Sequence, residues 1–270
     1  MRWWILSMCV LGVGFAQTAA AEDKLPAWVE PMRAVHAKFD GQQHYVAQLG
    51  DSITTSLAFW SPLGWDDPEK YLTGDDGLPK KPREQRWRDV TLGVRDKGAE
   101  HGNDGGWRVG NILGVIDGVL KKHRPETAVI MVGTNDIRSG RVPDDYAPGV
   151  EKIVDKCLAA HCIPMLTTIP PFRDRDEAVE EANKIIRKIA AEKQIPLIDY
   201  HAAIIKRRPG KTWDKTLISN DGVHPSAHKT NDYSEENLQN DGYALRNWVT
   251  FQKYREVYFH VLHPEQRDKK

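Results

Sequence analysis

The sequence of 270 residues predicts one α/β domain built on a parallel sheet. From about residue 44 onward, short apolar runs alternate with longer segments in which apolar residues recur at helical spacing. The run at 127–132 is almost wholly apolar, which is typical of a strand that is covered on both faces. Parallel strands joined by helices produce this alternation, because each crossover must return the chain to the same end of the sheet.

The first half of the domain is predicted to hold three strands and two helices. Their order is a strand at 44–49, a weaker edge strand at 89–94, a helix at 109–120, the strand at 127–132 and a helix at 143–158. Apolar stripes indicate both helices, and Pro143 with Asp144 is typical of a helix start.

The second half continues the same alternation. Its elements are a strand at 163–169, a helix at 179–189, a strand at 196–200 and a long C-terminal helix at 243–262. Pro170 and Pro171 end the first of these strands, because proline cannot donate to the ladder. The C-terminal helix has an amphipathic pattern, so we expect it to pack back onto the sheet.

Residues 57–88 interrupt the pattern and are predicted to be a long loop insertion. The segment mixes prolines, glycines and charged residues, and it contains Trp60, Trp65 and Trp87. These rings can line a surface that binds sugars, or they can form a small core beneath the loop. The sequence favours neither interpretation.

The overall charge gives no reason to expect nucleic acid or an anionic membrane as partner. Lys and Arg together number 38, as do Asp and Glu, so the formal net charge is zero. Hydrophobic residues make up 40% of the chain and charged residues 28%, as in ordinary soluble domains.

Residues 1–21 have the pattern of an export signal, and residues 22–270 are expected to form the mature domain. Arg2 provides a positive start, 3–15 is an apolar run, and Ala19 to Ala21 supply small residues before the predicted cleavage site. The run is shorter than the roughly 20 residues that a membrane span needs. We therefore expect a secreted or periplasmic protein without stable membrane insertion.

Cleavage at this site would remove Cys9 and leave Cys157 and Cys162 in the mature chain. In an oxidising compartment these two residues can form a disulfide, or they can remain as two thiols between a helix and a strand. In either state they are expected to be structural.

Polar side chains gather where predicted strands end. Ser52 follows the strand at 44–49, Asn135 follows the strand at 127–132, and Asp221 and His224 lie in the loop before the C-terminal helix. Functional groups collect outside the carboxyl ends of parallel strands. We therefore expect these four side chains to lie close together.

These residue types are the ones that acyl transfer to a serine requires. A serine hydroxyl needs a base to take its proton, and His224 can act as that base while Asp221 orients its ring. The oxyanion that forms needs donors, which the N–H of Ser52, a glycine N–H and the amide of Asn135 can supply. The alternatives are a helix-capping role for Ser52, a left-handed turn at Asn135 and an exposed turn at 221–224.

The motifs, in their order along the chain, resemble the conserved blocks of the SGNH (GDSL-type) hydrolases. Gly50-Asp51-Ser52-Ile53 resembles the first block, Gly133-Thr134-Asn135-Asp136 the third and Asp221-Gly222-Val223-His224 the last. The resemblance covers roughly 44–228 and implies a flavodoxin-like, three-layer fold with about five parallel strands. It also implies a serine nucleophile at Ser52 and an oxyanion donor at Asn135.

The glycine of the family's second block is less clear. Gly106 is the preferred oxyanion donor, with Gly102 and Gly105 as alternatives. Asp51 is expected to hydrogen-bond backbone beside the nucleophile. It is also a candidate for substrate contact, and the other candidates are Trp60, Trp65 and Trp107.

The sequence therefore predicts a serine esterase that cleaves small acyl esters, foremost acetyl groups on carbohydrate, without a cofactor. His224 and His228 are four residues apart, but no third ligand matches them, so a metal site is not expected. The alternatives are lipase, thioesterase or O-acyltransferase activity on the same triad, or a glycan-binding protein without turnover. The oligomeric state is left open.

Overall fold

The computed structural model describes Met1, residues 25–83 and residues 85–267. At its centre lies a parallel sheet of four strands. In spatial order they are β1 (Gln42–Gly50), β2 (Pro125–Met131), β3 (Ile163–Thr167) and β4 (Leu197–Ile198). Every residue of β2 and β3 is buried, as expected for strands that are covered on both faces. The predicted α/β fold with a parallel sheet is confirmed.

The predicted edge strand at 89–94 is reduced to a single bridge. Leu92 pairs in parallel with Tyr45, and its carbonyl oxygen accepts a hydrogen bond from Val46 N at 3.0 Å. Gly93 follows with a φ of +85°, a left-handed conformation that turns the chain away from β1. The free edge of β1 therefore carries isolated bridges in place of a fifth strand, one from Leu92 and one from Asn103, which pairs in parallel with Gly50.

Seven α-helices flank the sheet or connect its strands in the described part of the chain. They are α1 (Val29–His36), α2 (Ser52–Thr55), α3 (Val109–His123), α4 (Tyr146–Ala159), α5 (Asp176–Glu192), α6 (Tyr200–Arg207) and α7 (Gly242–Val257). The apolar stripes place α3, α4 and α5 where the sequence predicts them. Among these described helices none is long and apolar enough to cross a membrane.

Helix α7 is buried on nearly all sides, although its sequence pattern predicts one exposed face. It packs on β4 and α6, and a π-helical turn (Tyr258–Leu262) continues it to a contact with α1. Polar residues that the pattern assigns to solvent, such as Asn247 and Thr250, have no exposed surface. A further layer of chain must therefore cover the outer face of this helix.

The insertion at 57–88 provides that layer. Trp87 is fully buried and makes edge-to-face contacts with Phe251 and Tyr258, with ring centroids 5.1 and 5.3 Å apart. Trp60 is also fully buried, and its backbone N–H donates to Oδ1 of Asn247 at 2.8 Å. Of the two interpretations of the insertion, core packing is therefore the correct one for Trp60 and Trp87.

The signal peptide stays a prediction, whereas the state of the two cysteines can be described. The predicted signal peptide at 1–21 lies, apart from Met1, outside the described residues. Cys157 and Cys162 are both buried as free thiols, and burial raises the pKa of Cys162. The thiol state is the one that the structure contains.

The insertion is tied to α7 by Arg255, which is 1% exposed. Its guanidinium donates to the carbonyls of Leu78 (2.6 Å) and Pro79 (2.8 Å) and pairs with Asp76. We expect Arg255→Met to lower the free energy of unfolding by about 2–3 kcal/mol, because two carbonyls lose their donor. Chemical denaturation will measure this change. An unchanged denaturation midpoint would show that the insertion does not depend on this contact.

Candidate active site

Ser52 lies where β1 ends and α2 begins. Gly50 is the last residue of β1 and pairs with Met131, and a Cβ at Gly50 would lie 2.5 Å from the Met131 carbonyl oxygen. Only glycine fits there. Asp51 then caps α2, because its Oδ1 accepts a hydrogen bond from Ile53 N at 3.0 Å. Ser52 is therefore the first residue of the helix, and the capping role belongs to its neighbour.

Ser52, His224 and Asp221 form a continuous series of hydrogen bonds. Oγ of Ser52 is 2.9 Å from Nε2 of His224, and Nδ1 of His224 is 2.6 Å from Oδ2 of Asp221. When Nδ1 donates to the carboxylate, Nε2 is left to accept the serine proton. The His224 side chain is 40% exposed and Ser52 is half-buried, so the pair is open to solvent.

Asp221 is held by donors on both of its oxygens. Its Oδ1 accepts hydrogen bonds from Oγ of Ser219 (2.7 Å) and from the backbone N–H groups of Val223 (2.9 Å) and His224 (3.0 Å). Partial burial acts to raise the pKa of Asp221, but these hydrogen bonds and the imidazole outweigh it and hold the pKa well below the usual value. The carboxylate is thus ionised wherever the imidazole needs it.

Arg173 stabilises the loop that contains His224. The sequence analysis did not identify Arg173 as part of the site. Its backbone N–H donates to the carbonyl of Gly222 (2.9 Å), and its guanidinium donates to the carbonyl of Asn220 (3.2 Å). An ion pair of 2.6 Å with Asp214 fixes the guanidinium. No spacing in the sequence links position 173 to position 222, because the contact arises from the fold.

Asn135 lies beside the nucleophile turn, at the carboxyl end of β2. Its Nδ2 donates to the Trp107 carbonyl at 3.1 Å and makes a longer contact of 3.4 Å with Oδ2 of Asp51. Its φ of −80° and ψ of −26° are right-handed, so the left-handed turn that its residue type allowed does not occur. The amide hydrogen that faces Asp51 makes the longer and weaker contact, so it is the one that can turn to a substrate oxygen.

The three candidate glycines differ in what their N–H groups do. Gly102 is buried, its N–H donates to a backbone carbonyl, and a Cβ there would lie 2.3 Å from Leu49. The Gly105 N–H donates to Oδ1 of Asp104 at 2.7 Å. The Gly106 N–H has no acceptor among the described residues, and Gly106 is exposed with a φ of +74°. This geometry favours Gly106 as the donor, as the sequence analysis preferred.

Two of the four candidates for substrate contact are wrong. Asp51 has no exposed surface, because its carboxylate turns inward to cap α2. Trp60 is likewise fully buried, so a substrate cannot reach its ring. Trp65 is 51% exposed and Trp107 is partly buried next to Asn135. These two remain candidates.

The sequence model of the GDSL-like lipase/acylhydrolase family matches residues 49–228, two thirds of the chain and the segment that contains every element of the site. The chain belongs to the GDSL-like lipase/acylhydrolase family. This membership makes it a serine esterase.

A curated relative and two solved structures are similar to this chain. The relative is a multidomain esterase from Ruminococcus flavefaciens, 26% identical over 46% of this chain. The matched region spans only 17% of that esterase. A GDSL-like lipase from Bacteroides thetaiotaomicron superposes with a TM-score of 0.52 at 16% identity, covering 85% of this chain and 98% of its own. An acetylxylan esterase from Geobacillus stearothermophilus gives 0.51 at 16% identity, covering 80% and 95%. At these identities the two structures establish the shared fold.

The carboxyl group of Asp51 is the most unusual titratable group in this GDSL-like site. Burial raises its pKa to about 6, although the Ile53 N–H, Arg246 and His224 all act to lower it. A raised carboxyl pKa means that the ionised form costs stability. The cost is present in full above the folded pKa, and it disappears below the unfolded value of 3.8.

We expect Asp51→Asn to raise the free energy of unfolding by about 1–3 kcal/mol at pH 8, because the amide caps Ile53 without a buried charge. The gain should shrink as the pH falls towards 4. Urea denaturation over this pH range will measure it. Asp221→Asn is the matched control, since the lowered pKa of Asp221 predicts the opposite sign at pH 8. A gain for Asp51→Asn that is independent of pH would contradict the assignment.

Proposed function

We propose that this GDSL-like esterase removes short acyl groups, foremost acetyl, from carbohydrate through an acyl-enzyme on Ser52. The observation that carries the proposal is the unbroken hydrogen-bond series from Asp221 through His224 to Ser52, on an open edge of the sheet. A base within hydrogen-bond distance is what a serine hydroxyl needs to become a nucleophile.

In the first step, Ser52 Oγ attacks the ester carbonyl carbon while Nε2 of His224 takes the hydroxyl proton. Asp221 holds the ring by Nδ1 and stabilises the imidazolium that forms. The amide of Asn135 and the backbone N–H groups of Ser52 and Gly106 receive the negative charge on the carbonyl oxygen.

Collapse of the tetrahedral intermediate breaks the bond to the alcohol, which leaves with the proton from His224. A water molecule then attacks the acyl-enzyme as His224 again removes a proton. The acid is released, and Ser52 regains its hydrogen.

The surface around the site supports a small and polar substrate. Among the described residues, the large apolar side chains that are exposed are Met1, Leu57, Trp65 and Leu92. A lipase acting at a lipid surface is expected to present a broad apolar patch, and isolated side chains do not form one. The mean hydropathy of −0.57 agrees with a polar surface.

Trp65 and the acetylxylan esterase structure support carbohydrate as the carrier of the acyl group. An exposed indole offers a flat apolar face on which a sugar ring can stack.

The predicted signal peptide would deliver the enzyme to a compartment where extracellular glycans are found. Sequencing the N-terminus of the exported protein tests this part, and a mature chain that begins at Glu22 is expected.

The substrate test compares acetylated xylan, 4-nitrophenyl acetate and 4-nitrophenyl palmitate. We expect acetate release from the first two and little hydrolysis of the third. Ser52→Ala should abolish activity, and Ser56→Ala, at the carboxyl end of α2, should retain it. Retained activity in Ser52→Ala would overturn the nucleophile. A preference for palmitate would overturn the substrate class, and acetyl transfer to added sugar in place of acetate release would indicate a transferase.

Asn135→Ala should lower kcat by about 100- to 1,000-fold and leave KM nearly unchanged, because the amide acts on the oxyanion and not on the ground state. Steady-state kinetics with 4-nitrophenyl acetate will separate the two constants. Asn183→Ala is a control for loss of a buried amide, since Asn183 is fully buried and its side chain bonds to the backbone of Ile169, away from the site. A normal kcat for Asn135→Ala would remove Asn135 from the mechanism.

A further inference from the structure

The turn that carries Ser52 is a helix of only four residues. Two cations hold its carboxyl end, the fully buried Arg246 and the partly buried Lys97. Arg246 donates from Nη1 to the Ile53 carbonyl (2.7 Å) and from Nη2 to Oγ1 of Thr54 (2.9 Å). Lys97 Nζ donates to the Thr54 carbonyl at 2.8 Å. These carbonyls lie at the end of the helix, where backbone donors are missing.

Both cations also contact the ring of Phe59. The guanidinium carbon of Arg246 lies 3.5 Å from the ring centroid, and Lys97 Nζ lies 5.2 Å from it. In the part of the chain that the structure describes, neither cation has a carboxylate within salt-bridge distance. Arg246 is fully buried, and burial of its charge costs stability unless the hydrogen bonds with the nucleophile turn compensate for it.

Of the two cations, Arg246 is the one that remains charged in the neutral range. Burial and the nearby guanidinium lower the pKa of Lys97 to about 7, so Lys97 loses its charge as the pH rises above that value. Burial lowers the pKa of Arg246 to about 10. A planar guanidinium also fixes two acceptors at once, which a single ammonium cannot do in the same way.

We propose that Arg246 is a positioning residue for the nucleophile: it holds the nucleophile turn by Ile53 and Thr54 so that Ser52 Oγ stays in line with His224. This inference rests on the proposed role of Ser52. Arg246 comes from α7, so the C-terminal helix, which lies outside the conserved motifs, sets the geometry of the reacting group.

Arg246 also acts on the charge of Asp51, which caps the other end of the same turn. The charged groups that face Asp51 are Arg246 from α7, His224 from its loop and Asp136 from the turn after β2. The first two favour the carboxylate, and Asp136 disfavours it. Loss of the guanidinium therefore raises the pKa of Asp51 further. A change at position 246 should thus appear in the pH dependence of the reaction.

The test compares Arg246→Met with Arg246→Lys in the full-length protein, using 4-nitrophenyl acetate. For Arg246→Met we expect kcat to fall by about 10- to 100-fold with KM within about twofold, because small misplacement of a reacting group has effects of this size. The acid limb of the kcat profile should move to higher pH. Arg246→Lys keeps a positive charge below neutral pH, so it should restore the acid limb and part of kcat.

Thr54→Val provides a milder variant in case Arg246→Met does not fold. It removes only the Oγ1 acceptor and should lower kcat in the same direction, by a smaller factor. The rate of inactivation by a fluorophosphonate, which modifies the nucleophile directly, should fall in parallel.

In the Asp51→Asn background, Arg246→Met should no longer move the acid limb, since no charge at position 51 remains to respond.

Arg255→Met is the matched control, because Arg255 is the other fully buried arginine of α7 and its side-chain hydrogen bonds within the described residues go to the insertion. It should lower stability and leave the pH profile and the fluorophosphonate rate unchanged. If Arg246→Met and Arg255→Met behave alike in these two measurements, Arg246 is structural and the inference fails. If Ser52→Ala retains activity, the proposed function has failed instead, and the two failures are thus distinguishable.

Discussion

The parallel pairing of β1 with β2 is the constraint on which the site depends. Gly50 lies opposite Met131, so the chain leaves both strands at the same edge of the sheet. Asp51 and Asn135 consequently come within 3.4 Å of one another although 84 residues separate them. A shift of one residue in this register would turn Ser52 towards the other face of the sheet, away from its base.

This constraint explains why so much of the site is predictable from sequence. Buried parallel strands have a long apolar pattern, and the polar residue that follows each one must lie at the common edge. Ser52 and Asn135 follow from that rule alone. His224 needs the additional reasoning that a serine nucleophile requires a base. Asp221 lies three residues before His224, so the residue that orients the base is found beside it in the sequence.

The parts that sequence reasoning did not predict all depend on long-range packing. The aromatic residues of the insertion give no periodicity, so nothing distinguishes Trp60 and Trp87, which are buried, from Trp65, which is exposed. Arg173 and Arg246 each donate to a backbone carbonyl, which any residue presents. The edge strand at 89–94 is reduced to one bridge because a 3-10 helix (Trp87–Asp89) precedes Leu92 and a left-handed glycine, Gly93, follows it, and composition does not reveal that.

The insertion and the C-terminal helix are best understood together. A helix on the surface of an α/β domain normally leaves one face in water, where arginine side chains have no cost of burial. Here residues 57–88 cover that face, so α7 becomes an interior helix, and Arg246 and Arg255 must find acceptors within the protein. Arg255 finds them in the insertion itself, and Arg246 finds them in the nucleophile turn. In the role proposed for Arg246, the insertion acts on the reaction through burial: by excluding water from α7, it makes the guanidinium of Arg246 depend on the Ile53 carbonyl and the Thr54 hydroxyl behind Ser52.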